Sequence, residues 1–78
     1  MATLRLFASA RIAAGTGRVT IDASTVGALL EEAMTRFGAE FTAVVENSKV
    51  WCNGEPCGTD AAISAGDEVA VLPPVSGG

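Results

Sequence analysis

Two glycines close the sequence, in the run Pro73-Pro74-Val75-Ser76-Gly77-Gly78, and they point to a reactive group that is not a side chain: the α-carboxylate of Gly78. Glycine has no β-carbon, so Gly77 and Gly78 could thread a channel that excludes every other residue. The two prolines hold φ near about −65° and stiffen the segment leading to them. The chain reads as built to present its own end. Glycine-rich ends are also common as idle tails, so the dipeptide alone does not decide its use.

Few other chemistries are open. The sequence contains neither histidine nor tyrosine. That removes Ser-His and Cys-His nucleophile pairs, the usual general base near neutral pH and the commonest zinc ligand. Cys52 and Cys57 flank the run Asn53-Gly54-Glu55-Pro56 and could face one another across a hairpin. Cytosolic thiols are kept reduced, so two free, small apolar side chains are expected there. Two cysteines without histidine complete neither a tetrahedral zinc site nor an iron-sulfur cluster, and no metal is expected. Asp67-Glu68 and Glu31-Glu32 are adjacent carboxylates. Neighbours on a helix diverge and neighbours in a strand point to opposite faces, so both pairs read as solvated surface.

The elements that must position the end follow from periodicity. Thr3-Leu4-Arg5-Leu6-Phe7 and Arg18-Val19-Thr20-Ile21 alternate polar and apolar residues and predict two strands. A hairpin is expected between them, with a helical turn over Ala8 to Ala14 as the other option. Thr25 is a candidate N-cap, and Val26, Leu29, Leu30, Ala33 and Phe37 form one helical stripe ending at Gly38, a candidate left-handed C-cap. Glu32 and Arg36 fall at i, i+4 on its outer side. Phe41, Val44 and Val45 suggest a short second helical piece. Lys49 to Cys52 predicts a strand, with a half-buried Trp51 anchoring the sheet, Asn53-Gly54 a tight turn and Glu55-Pro56-Cys57 an edge return. A further turn is expected around Ile63, then a last strand, Glu68 to Leu72, stopped by Pro73-Pro74.

The chain of 78 residues is long enough for one domain and too short for two. Residues 1–78 are therefore taken as a single unit with a tail over 73–78. One apolar helical stripe needs one apolar sheet face, which predicts an α+β architecture: a small mixed sheet packed on one main helix, a description that a β-grasp fold satisfies. Apolar residues make up 49% of the chain and charged residues 18%, the composition of a folded protein. No apolar run approaches the ~20 residues needed to span a bilayer, and Met1 to Arg5 begin a strand pattern in place of a leader, so a cytoplasmic protein is expected. Five basic residues are scattered along a chain of net charge −4. Nucleic-acid binding is thus disfavoured, and an acidic surface would suit a partner with a basic docking face.

The stretch Gly66-Asp67-Glu68-Val69-Ala70-Val71-Leu72-Pro73-Pro74-Val75-Ser76-Gly77-Gly78 resembles the MoaD/ThiS family of ubiquitin-like sulfur carriers, and within it the small subunit of molybdopterin synthase. Leu6-Phe7-Ala8 with Arg11, Thr25-Val26-Gly27-Ala28-Leu29 and Val50-Trp51-Cys52-Asn53-Gly54 extend the resemblance over the whole chain. It implies a β-grasp domain that is not catalytic alone. Gly78, with Gly77 behind it, would be adenylated by an E1-like adenylating enzyme that consumes ATP, and converted to a thiocarboxylate with sulfur from a sulfurtransferase. A carboxylate resists nucleophiles, and the acyl-adenylate supplies the leaving group that lets sulfur replace oxygen. The terminus would then enter the large subunit of molybdopterin synthase and deliver sulfur to a pterin precursor. On this resemblance Pro73, Pro74, Val75 and Ser76 match the segment inserted into partners, and Phe7 and Leu72 match apolar docking positions. Leu72 is aliphatic where some relatives carry an aromatic residue. Core packing is the other reading of Phe7 and Leu72. The same chemistry would serve a carrier for thiamine thiazole or cysteine synthesis, or a modifier that forms isopeptide bonds with target lysines; an inert interaction domain is a further alternative.

Overall fold

In the computed structural model, which describes residues 1–74, the chain runs β1 (Ala2–Leu6), α1 (Ala8–Ala14), β2 (Arg18–Ile21), α2 (Val26–Phe37), α3 (Ala39–Glu46), β3 (Lys49–Cys52), β4 (Glu55–Pro56) and β5 (Glu68–Leu72). The strands form one mixed sheet in the order β2-β1-β5-β3-β4. β5 is parallel to β1, and the other neighbours are antiparallel. The last strand in sequence is thus the middle strand in space.

Alternation decides which face is covered. Ala2, Leu4 and Leu6 of β1 and Val69 and Val71 of β5 are buried, whereas the residues between them are not. The helices lie over that inner face. Val26, Leu29, Leu30 and Ala33 of α2 and Phe41 and Val45 of α3 complete the core, with Phe41 edge-on to Phe37 at 5.1 Å between ring centroids. The short second helical piece expected around Phe41 forms as α3, and the helical option over Ala8 to Ala14 is realised as α1. The antiparallel pairing of β1 with β2 holds, but α1 fills the connection, so no tight hairpin forms. Phe7 caps α1 in an extended conformation and does not belong to β1.

The main helix starts as its cap residue predicts. The Thr25 hydroxyl accepts from Ala28 N–H at 3.2 Å. Val26 and Gly27 N–H donate to the carbonyls of Ala61 and Thr59 at 3.0 and 2.8 Å. Three of the four N–H groups that a helix start leaves unpaired are thereby satisfied, two of them by the segment after β4. A β-carbon on Gly27 would lie 3.1 Å from the Thr59 carbonyl, so glycine is what permits this approach. The segment bridges Thr25 through Ala62 and buries Ile63, an extended strap in place of the turn expected around Ile63. Gly38 has φ 93° and ψ −168°, a positive φ but not the left-handed helical cap, because it joins α2 directly to α3. Glu32 and Arg36 pair at 3.0 Å as their spacing predicts.

Cys52 and Cys57 are joined in a disulfide with a Cα–Cα distance of 5.8 Å, which corrects the expectation of two free thiols. The cause is the turn. Asn53 and Gly54 both take positive φ, which brings the flanking strands into the closest kind of hairpin and places both sulfurs on the inner side of the sheet edge. Cys57 Sγ also lies 3.8 Å from the Val50 carbonyl, an acceptor ready for the thiol when the pair is reduced. Closing so short a loop contributes about 2 kcal/mol in the chain-entropy account. Reduction is therefore expected to lower the thermal midpoint by about 10 °C without loss of fold; identical melting curves with and without a phosphine reductant would show that the link constrains nothing.

Candidate functional site: the open sheet face and the tail exit

Among the described residues no helix lies on the second face of the sheet, and strand register lays its residues out in rows. Arg18, Arg5 and Ala70 are successive cross-strand partners, continued by Trp51 and Pro56. The next row toward the end of β5 holds Leu72 with Lys49 opposite it. Phe7 follows Leu6, the partner of Val71, and so comes beside Leu72. The last row holds Thr20, Thr3 and Glu68.

An apolar strip thus surrounds the point where the chain leaves the sheet. Phe7 is 40% exposed and Leu72 and Trp51 are half-buried. Neither Phe7 nor Leu72 belongs to the buried core, so the core-packing reading of both is set aside. Pro73 and Pro74 follow immediately, half-buried and exposed, and line a shallow groove of about 320 Å³ with Ser9, Ala43, Val44 and Asn47 between α1 and α3. The predicted site residues Phe7, Leu72, Pro73 and Pro74 are therefore brought to one end of the molecule. Val75, Ser76, Gly77 and Gly78 lie outside the described residues.

Electrostatics divide the surface. The Arg5 guanidinium sits 3.4 Å from the Glu68 carboxylate and 5.6 Å from the centre of the Phe7 ring. Arg5, Arg18 and Lys49 all point to the open face, against the single carboxylate of Glu68; the rest of the chain holds two cations and eight carboxylates. Basic residues that are scattered in sequence are collected by the sheet. The acidic character expected from the net charge therefore belongs to the surface off the open face. Of the adjacent carboxylates, Glu31, Glu32 and Glu68 are exposed as expected, whereas Asp67 is half-buried and accepts from Ser64 N–H at 2.9 Å and from the Asn53 amide at 3.3 Å. Trp51, Arg18 and Lys49 were not assigned to the site from sequence. Their signal was alternation, but which strand lies beside which could not be read from it.

A profile of the ThiS family matches residues 4–78. The chain belongs to the ThiS family. These are ubiquitin-like sulfur carriers and modifiers, and the five-stranded mixed sheet with its helices is the β-grasp fold of that group. Small archaeal modifier protein 1 of Haloferax volcanii is 34% identical to this ThiS-family chain, with a TM-score of 0.83 over 99% of this chain and 98% of that one. A protein described as subunit 1 of a molybdopterin converting factor from Pyrococcus furiosus is 27% identical, with a TM-score of 0.83 over 95% and 97%. Small archaeal modifier protein 1 of Methanosarcina acetivorans is 26% identical, with a TM-score of 0.87 over 99% and 95%. No curated protein sequence matches the ThiS-family chain. Among its described residues no helix is long and apolar enough to cross a membrane.

Proposed function

We propose that the chain is a cytoplasmic sulfur carrier whose reagent is the Gly78 carboxylate, and that it serves as the small subunit of molybdopterin synthase. An E1-like enzyme transfers AMP from ATP to that carboxylate, releasing pyrophosphate. A sulfur nucleophile supplied by a sulfurtransferase then displaces AMP, and the resulting thiocarboxylate donates its sulfur to a pterin precursor within the large subunit. The domain holds no cofactor of its own in this scheme. The observation that carries the reading is the pairing of a Gly-Gly end with an apolar collar. Phe7, Leu72 and Trp51 are exposed or half-buried around the exit of β5, and the six residues from Pro73 to Gly78 reach at most about 20 Å beyond it. A partner that grips the collar has the terminus in its active site. Intact mass measurement after incubation with the adenylating enzyme, ATP and a sulfur source tests this. Replacement of one oxygen by sulfur at the C-terminus is the expected result, and an unchanged mass would end the proposal.

One observation favours a second reading, a protein modifier. The identity to the Haloferax modifier is 34%, against 27% to the Pyrococcus molybdopterin protein. The acyl-adenylate is common to both uses, with a target lysine in place of sulfur as the nucleophile. Lys49 is the sole lysine of the chain, so chains of linked copies would depend on it. Covalent adducts on an immunoblot that vanish when Gly78 is deleted are the expected mark of a modifier.

A further inference from the structure

We propose that the open sheet face docks on a partner surface whose apolar centre is rimmed by carboxylates, although the carrier as a whole is acidic. The inference rests on the carrier reading and names the chemistry of the adenylating enzyme's docking surface.

Three features carry it. Arg5 and Arg18 are direct cross-strand partners on the exposed side of β1 and β2. Like charges placed directly opposite oppose the pairing of their strands, so this arrangement works against folding. Among the described residues Arg18 and Lys49 form no ion pair, and the pair that Arg5 makes with Glu68 is half-exposed and weak. The cations also stand on either side of the central strand: Arg5 and Arg18 on β1 and β2, Lys49 on β3, with Ala70 and Leu72 of β5 between them, Phe7 continuing the line of β1 and Trp51 beside Ala70 on β3. A carboxylate on each flank of an apolar pocket would answer that spacing.

The remaining surface gives the arrangement direction. Eight carboxylates against two cations lie off the open face. A partner with a basic surface would attract the helical side and repel the face that leads to Gly78. An acidic partner does the reverse, turning the carrier sheet-first before contact and excluding the unproductive orientation. Beyond about 8 to 10 Å, physiological salt screens the repulsion between two acidic proteins, whereas contact charges at the interface are screened far less.

The test is steady-state adenylation, followed as pyrophosphate release by the cognate adenylating enzyme, with the Arg18→Glu/Lys49→Glu carrier as variable substrate. KM is expected to rise tenfold or more with kcat unchanged, because the tail and its carboxylate are untouched. The Glu31→Lys/Glu46→Lys carrier, altered on the helical side, should keep KM within twofold. Thermal unfolding supplies a readout that a structural role could not mimic: Arg18→Glu sets opposite charges across β1 and β2, so its midpoint should hold or rise while docking fails. An unchanged or lower KM for the doubly reversed carrier overturns the proposal. If the wild-type carrier supports no adenylation at all, the carrier reading falls and this inference falls with it, a result distinct from normal turnover that ignores the reversals.

Discussion

A carrier extended by one alanine after Gly78 should lose activation by its adenylating enzyme altogether, while its circular dichroism and melting curve match the wild type. The reacting carbon would be moved by one residue, about 3.3 Å in an extended segment. Displacement of a reacting group by about 1 Å already costs on the order of a hundredfold in rate. The added methyl also falls where glycine alone was left room by the proposed channel. The fold is insulated from the change, because the sheet ends at Leu72. Sulfur transfer by the extended protein at more than a few per cent of the normal rate would show that the reagent is not the terminal carboxylate.

Phe41→Ala is expected to unfold most of the population at 37 °C. Phe41 is fully buried at the junction of α2 and α3, edge-on to Phe37. Truncation of a buried phenylalanine costs about 3 to 5 kcal/mol. A core of this size supplies only about 3 to 5 kcal/mol in total, so the loss is comparable to the whole. Phe41→Leu, which leaves most of the volume in place, should cost far less, about 1.5 kcal/mol. Chemical denaturation of the two variants separates the outcomes; a loss below about 1 kcal/mol for the alanine form would mean that α3 contributes little to the core.

Local signals carried much of this architecture. Thr25 caps α2 as its hydroxyl predicts, the stripe from Val26 faces the sheet, and the Asn53-Gly54 turn forms with both residues at positive φ. Long-range placement was not legible. β1 and β5 pair in parallel although Leu4 and Val69 are far apart in sequence, and nothing in either strand names the other. The grouping of Arg5, Arg18 and Lys49 depends on that pairing, so three cations that look dispersed in the chain stand on one face. Cys52 and Cys57 were placed on opposite arms of a turn by spacing. Their bonding is not legible in that spacing, because it depends on how closely the turn brings the two strands. Alternation alone assigns Phe7 to the first strand, but the chain turns into α1 there, which leaves its ring beside Arg5 at the end of β1.

The central position of β5 has a consequence for biosynthesis. A ribosome that stops before residue 68 leaves a chain without the strand that both β1 and β3 require as a neighbour. Such a fragment has two half-sheets and no seam to join them, so it cannot close its core and is open to proteolysis. A terminus that falls before β5 is therefore not displayed on a folded body. The same seam resists pulling: tension on the terminus loads the hydrogen bonds of two flanking strands together, so a force applied to the end is spread over the sheet.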